Sequence, residues 1–351
     1  MNKTIPFESR ENWGHPLNWL IGSILTSLII YCVWSGLCSP KTEPLRLVVY
    51  AFSTQEEALT QGIFPAFEQS WEAENGRELK VEGVFGPSGV LAGEINLGAP
   101  VHVALFSNLR HVNWLKLGKR LRPDAEPVMY ASTSLVIVAR PGNPAGFSDF
   151  SDLAQPGLQL LHADPRSSGV GEWAVLAEYG SAYLENGDQD SAKTQLKDIW
   201  KNVRLLGDSA RATLTLFELG VGDALVTYEQ DALLAQERGV PIKIISPKRT
   251  ILTRHYAVII DDQITPTDQL AADAFLDFLL SDNGQRILSK YYLRPVASEM
   301  DMAQPGQKTF TEDDLGGWAW AYDALIENFW EKEVVPDLKL ESASTLLESG
   351  E

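Results

Sequence analysis

The chain has 351 residues, with 47 acidic and 29 basic side chains and a formal net charge of −18 at pH 7. That length fits about two domains, and the apolar fraction of 44% is enough for a sizeable core. The acidic balance argues against nucleic acid as a partner, because phosphate backbones require a basic face. It also provides no long-range attraction for an anion, so an anionic ligand must be held by local dipoles.

In chain order, residues 1–16 form a polar tail, and 17–38 contain an uncharged apolar run, Leu17 to Leu37. At 1.5 Å per residue, such a run crosses a hydrocarbon core of about 30 Å. It reads as a transmembrane anchor, with a cleaved signal segment as the alternative, and either places the rest of the chain outside the cytoplasm. The two cysteines, Cys32 and Cys38, lie here, so no disulfide framework is expected in the rest. Residues 39–44 are a short linker, and 336–351 an acidic, Ser-rich tail expected to be loose.

Between them, strand-like runs alternate with helical ones. Leu45–Ala51 is a strand, and Ser53 or Thr54 followed by Glu56 or Glu57 reads as a capping box opening a helix that Pro65 would interrupt. Strands are expected at Leu79–Val84, Val101–Leu105, Ser134–Ala139, Leu158–His162, Val203–Leu206, Asp223–Tyr228, Ile242–Ile245 and Tyr256–Ile260. Helices are expected at Val90–Leu97, Trp173–Tyr179, Ser181–Asn202, Thr213–Leu219, Glu229–Arg238, Ala271–Leu280 and Gly284–Tyr291. The alternation predicts an α/β fold with a parallel sheet covered by helices on both faces.

Four turns share one design, in which a strand ends, small residues follow and a helix begins: Phe52–Thr54, Gly86–Gly89, Arg166–Gly171 and Gly207–Ala212. Ligands of open parallel sheets sit beyond the carboxyl ends of the strands. Helix N-termini gathered there offer unpaired N–H groups and the positive ends of helix dipoles, glycine allows close backbone approach, and serine adds a hydroxyl donor. Such a set suits an oxyanion. The five histidines, His15, His102, His111, His162 and His255, are scattered without ligand-like spacing, so no metal or other cofactor is expected. A serine hydrolase would need a positioned histidine base, and neither His162 nor His255 carries a supporting motif. Arg166 and Arg211 read as held by nearby carboxylates such as Asp208, and Trp173 as packing.

Several phrases resemble the periplasmic sulfate/thiosulfate-binding proteins of ABC transporters: Asp164-Pro-Arg-Ser-Ser-Gly169 with Trp173, Asp208-Ser-Ala-Arg211, and Gly222-Asp-Ala-Leu-Val-Thr-Tyr228 running on to Ala235. Ala139-Arg-Pro-Gly-Asn-Pro144, Leu293-Arg-Pro295 and Phe310-Thr-Glu-Asp-Asp-Leu-Gly-Gly-Trp318 extend the likeness over about residues 45–330. The resemblance implies the two-lobed type II periplasmic-binding fold, two Rossmann-like lobes joined by two crossing strands. Residues 45–133 with 254–335 would form one lobe and 134–253 the other. It implies a tetrahedral oxyanion in the cleft, a monomer, delivery to a cognate ABC permease, and no enzymatic activity.

Carried over by motif, the ligand-binding residues are Phe52, Ser53, Ser88, Ser168, Gly169, Val170, Ala210 and Tyr228. Phe52 stands where the sulfate binders have an aspartate giving a backbone N–H, and Tyr228 where they have a tryptophan. Tyr228 and Ser53 are closer to the molybdate/tungstate binders. Molybdate or tungstate, or a membrane-tethered sensory module that kept the fold, are therefore the alternatives to sulfate or thiosulfate.

Overall fold

In the computed structural model of the protein, the described residues are 27, 43–262, 264–296, 307–342 and 345–346. Except for Ser27, the apolar run Leu17–Leu37 lies outside them, as do both cysteines. No helix among the described residues is long and apolar enough to cross a membrane.

The strands are β1 (Leu45–Phe52), β2 (Leu79–Gly86), β3 (Val103–Phe106), β4 (Val128–Ala139), β5 (Leu160–Ala163), β6 (Val203–Gly207), β7 (Ala224–Tyr228), β8 (Lys243–Ile245), β9 (Arg249–Ile259) and β10 (Lys308–Phe310). They hydrogen-bond in the order β2-β1-β3-β9-β4-β7-β5-β6, with β10 on β9 and β8 on β4. The expected all-parallel sheet is corrected to a mixed one. β2-β1-β3 and β7-β5-β6 are parallel groups, while β9 runs antiparallel to β3 and β4, and β4 antiparallel to β7.

The two long strands link the groups. Val128–Ser134 of β4 pairs with β9, and Leu135–Ala139 pairs with β7. Both strands are longer than the apolar runs suggested. Their unanticipated parts, such as Tyr130-Ala-Ser-Thr133 and Thr250-Ile-Leu-Thr-Arg-His255, mix polar and β-branched residues. Buried threonines in these parts bond to backbone: Thr250 Oγ1 donates to Leu135 O at 2.7 Å and Thr253 Oγ1 to Thr133 O at 2.9 Å. A hydroxyl satisfied in this way can be buried in a sheet.

The principal helices are α1 (Phe64–Asn75), α2 (Ser88–Asn96), α3 (Leu109–Leu117), α4 (Gly169–Asn186), α5 (Gln189–Trp200), α6 (Ala210–Glu218), α7 (Glu229–Glu237), α8 (Pro266–Leu280) and α9 (Asp282–Lys290). The expected capping box near Ser53 is absent, because the turn Ser53–Gln55 has no side-chain cap. Pro65 does not break a helix. It sits in α1 directly after a π-helical turn, Leu59–Ile63, and the run from Glu56 to Asn75 stays helical through it. The single helix expected over Ser181–Asn202 is two helices. Gly187 takes a left-handed φ of 72° that ends α4, and Asp188 caps α5. The tail is partly tied down: Glu341 N donates to Arg204 O at 2.7 Å, and Leu346 is buried against the apolar cluster that includes Val136 and Phe217.

Candidate functional site

Six strands end at one place. β1, β2, β3, β5, β6 and β7 each end in, or are followed by, residues that line a single small cavity of about 180 Å³ of empty space. Its walls are Phe52, Ser53, Pro87, Ser88, Ser107, Ser168, Gly169, Val170, Ala210 and Tyr228. All eight residues expected from the sequence are thus brought together. Pro87 and Ser107 were not anticipated. Ser107 follows β3 and precedes α3 in the same strand–turn–helix design, but its turn has no glycine and α3 was missed, so the signal was overlooked.

The cavity is surrounded by helix starts. Those after Phe52, Pro87, Ser168 and Tyr228 have no side-chain cap from the residue that starts them, although Gln230 N in the last donates to Thr133 Oγ1 at 3.3 Å and Gly89 N in the second to Ser167 O at 2.9 Å. Ser209 caps its own helix instead, accepting from Ala212 N at 3.1 Å. No charged side chain lines the cavity. Ser88 Oγ donates to Ser107 Oγ at 3.1 Å and accepts from Ser107 N at 3.3 Å. Tyr228 is 1% exposed, and its hydroxyl lies near Ser107 without forming a well-shaped hydrogen bond. Burial pushes that hydroxyl well above the usual tyrosine range, so it is a neutral donor at physiological pH.

Behind the cavity floor stands His255, on β9. Its ring packs edge-on against Phe52 at 4.8 Å and Tyr228 at 5.5 Å. Burial drives it down to about 3, so it is neutral at physiological pH. His162 is elsewhere: its Nε2 lies 2.6 Å from Glu178, which also accepts from Trp200 Nε1 at 2.8 Å.

The walls are clasped together beside the cavity. Gly89 N donates to Ser167 O at 2.9 Å, and Trp173 Nε1 to Ser107 O at 2.9 Å. Trp173 therefore bonds across the walls as well as packing on Trp318. Glu172, one turn into α4 and 1% exposed, accepts from Asn108 Nδ2 at 2.7 Å and pairs with Arg110 at 3.0 Å. Burial outweighs Arg110 and Asn108 and raises this carboxyl to about 7. Gly169 faces Ser107 so closely that an added Cβ would overlap the Ser107 hydroxyl. Arg166 is held by Asp164, at 2.7 to 3.1 Å, rather than by Asp208. Burial raises Asp231 to about 7, partly opposed by Arg211 and Arg238.

A family profile described as bacterial extracellular solute-binding protein matches residues 47–294. The chain belongs to this family. Among its relatives, the sulfate-binding protein of Salmonella typhimurium is 35% identical over 277 residues, covering 73% of this chain and 82% of that one. The sulfate-binding protein of Escherichia coli K12 is 32% identical over 284 residues, covering 75% and 84%. Among solved structures, the sulfate-binding protein SubI from Mycobacterium tuberculosis H37Rv superposes with a TM-score of 0.72 at 25% identity, covering 80% of this chain and 98% of that one. The mixed sheet of this solute-binding protein is thus a periplasmic-binding-protein fold.

Proposed function

We propose that this solute-binding protein captures a fully ionised tetrahedral oxyanion, sulfate or thiosulfate, and serves as the extracytoplasmic component of an ABC importer. The observation that carries the reading is the cavity itself: uncapped helix starts and hydroxyls converge on it, and no charged side chain enters it. Each favourably placed helix N-terminus contributes about 0.3–1 kcal/mol towards an anion, and each hydrogen bond to a charged group about 1.5–3 kcal/mol. Several together suffice for tight binding without a buried counterion, whose desolvation would offset its attraction. The relatives named as sulfate-binding support the choice of anion.

In this reading Phe52, Ser53, Ser88, Ser168, Gly169, Val170, Ala210 and Tyr228 hold the ligand. The lobes are 45–133 with 254–335 and 134–253, hinged where β4 changes partners between Ser134 and Leu135. The protein is a monomer that hands its ligand to a cognate permease. Leu17–Leu37 keeps it at the membrane or is cleaved on export. It acts by binding rather than as an enzyme in this reading: Ser209 is engaged as a cap, His162 is held by Glu178, and the hydroxyl beside His255, that of Thr253, donates to Thr133 O.

Tyr228 and Ser53 favour molybdate or tungstate as the second reading. A thermal-melting panel with sulfate, thiosulfate, molybdate, tungstate and phosphate decides between them. A ligand at a hundredfold excess over its Kd stabilises the native state by about 2.7 kcal/mol. Sulfate or thiosulfate should therefore give a clear upward shift in Tm. No shift with any of the five would overturn solute capture, and a shift with molybdate or tungstate alone would move the assignment to them.

A further inference from the structure

Ser88 opens α2 just after β2 and Ser107 follows β3, yet their hydroxyls meet at 3.1 Å inside the cavity wall, and each residue is 1% exposed. Ser88 Oγ also accepts from Ser107 N at 3.3 Å. Each hydroxyl carries one proton and two lone pairs. The bond between the two oxygens uses one of the two protons. The other is left over in either arrangement: on Ser107 when Ser88 donates to it, and on Ser88 when Ser107 donates back. Because both residues line the cavity, the remaining proton can be presented to the ligand from either oxygen.

We propose that Ser107 is a further ligand-contacting residue, and that it forms with Ser88 a two-hydroxyl unit that donates one hydrogen bond to the bound oxyanion from either oxygen. This rests on the oxyanion reading above and deepens it. The two-position donor lets the site follow anions whose oxygens lie at slightly different distances from the centre. Its energetic signature is redundancy. With Ser88→Ala, Ser107 loses its hydrogen-bonded partner and, with only the poorly placed Tyr228 hydroxyl nearby, turns its proton to the ligand. With Ser107→Ala, Ser88 does the same while still accepting from the backbone N–H of residue 107. Neither single change disturbs the clasp, because Trp173 bonds to the backbone carbonyl of residue 107 rather than to its side chain.

The test is calorimetric titration of sulfate into the full chain and into Ser88→Ala, Ser107→Ala and the double variant, with the melting temperature of each ligand-free protein recorded alongside. The expected result is a loss of no more than about 3-fold in affinity for each single variant. The double variant should lose at least about 10-fold more than the product of the singles, because residues in one hydrogen-bond network couple strongly. The melting temperature of Ser107→Ala should stay close to that of the wild type, while Ser88→Ala and the double variant, which both leave the residue-107 N–H without its acceptor, should be lowered by similar amounts. Additive losses, or a large loss for one single variant and none for the other, would overturn the shared-donor proposal while leaving the oxyanion reading standing. Failure of the wild-type protein to bind sulfate, thiosulfate, molybdate or tungstate would overturn both.

Discussion

Replacing Tyr228 with phenylalanine removes one oxygen from the site and leaves the ring in place. The ring contacts with Phe52 at 6.1 Å and His255 at 5.5 Å persist. What changes is a hydroxyl that is buried at the cavity and has no well-formed partner among the described residues. If that hydroxyl donates to the bound anion, its removal weakens binding by about 1.5–3 kcal/mol, the value of a hydrogen bond to a charged group. This corresponds to roughly 10- to 150-fold in Kd. The ligand-free protein should respond oppositely. Losing a poorly satisfied buried hydroxyl leaves stability unchanged or raises it by about 1 kcal/mol. Because burial holds the hydroxyl well above the usual tyrosine range, the binding deficit should be constant from about pH 6 to about pH 9. Calorimetric titration gives the affinity, and thermal melting without ligand gives the stability. An unchanged Kd would refute the role of Tyr228. So would an affinity loss matched by an equal loss of stability, which would mark the residue as a packing element.

Two more predictions follow from the clasp. Gly169→Ala places a Cβ on the Ser107 hydroxyl and should disfavour the closed walls by about 1–3 kcal/mol, the usual effect of overpacking. The affinity loss should be partly restored by adding Ser107→Ala, and titration of both variants checks this. Glu172 should make stability fall as pH rises. Its folded-state value of about 7 lies above the unfolded value of about 4.3. Its contribution is therefore fully present below about pH 4.3 and is lost as pH rises through about 7. Glu172→Gln should remove roughly 3–4 kcal/mol of this pH dependence, measured as the difference between wild-type and variant urea melts at pH values on either side of the window. Asp231 acts in the same direction in both proteins, so the difference isolates Glu172. Identical pH profiles would show that Arg110 and Asn108 fully offset the burial of the carboxylate.

Much of the site was legible because its signal is local. A strand that ends in small residues before a helix is written within about six residues, and the Ser168–Gly169–Val170 turn and the Ala210 turn follow that pattern. The long strands were only half legible. In β4 and β9 the apolar stretches Ser134–Ala139 and Tyr256–Ile260 stood out. The remaining parts carry threonines and a histidine whose burial depends on partners more than a hundred residues away, such as Leu135 O for Thr250. The antiparallel insertion of β9 between β3 and β4 was illegible for the same reason: register across a sheet is set by non-local pairing. Ser107 shows a third limit. It matters because β3 places it beside Ser88, and nothing in Phe106-Ser107-Asn108 announces that contact. The clasp residue Glu172 reads from sequence as an ordinary first-turn acid. Only its position between Asn108 and Arg110 makes it a buried bridge.

In the proposed function a tetrahedral oxyanion is held by neutral donors at the shared ends of six strands. The most direct measurement is a crystal structure of the protein with selenate, a tetrahedral dianion whose selenium is located by anomalous scattering. Such a site gives a single strong peak among Ser88, Ser168 and Tyr228, contacted by backbone N–H groups and hydroxyls and by no Lys or Arg. A peak only in the surface groove lined by Lys248, Arg249 and Lys308, with none at the cavity, would contradict it.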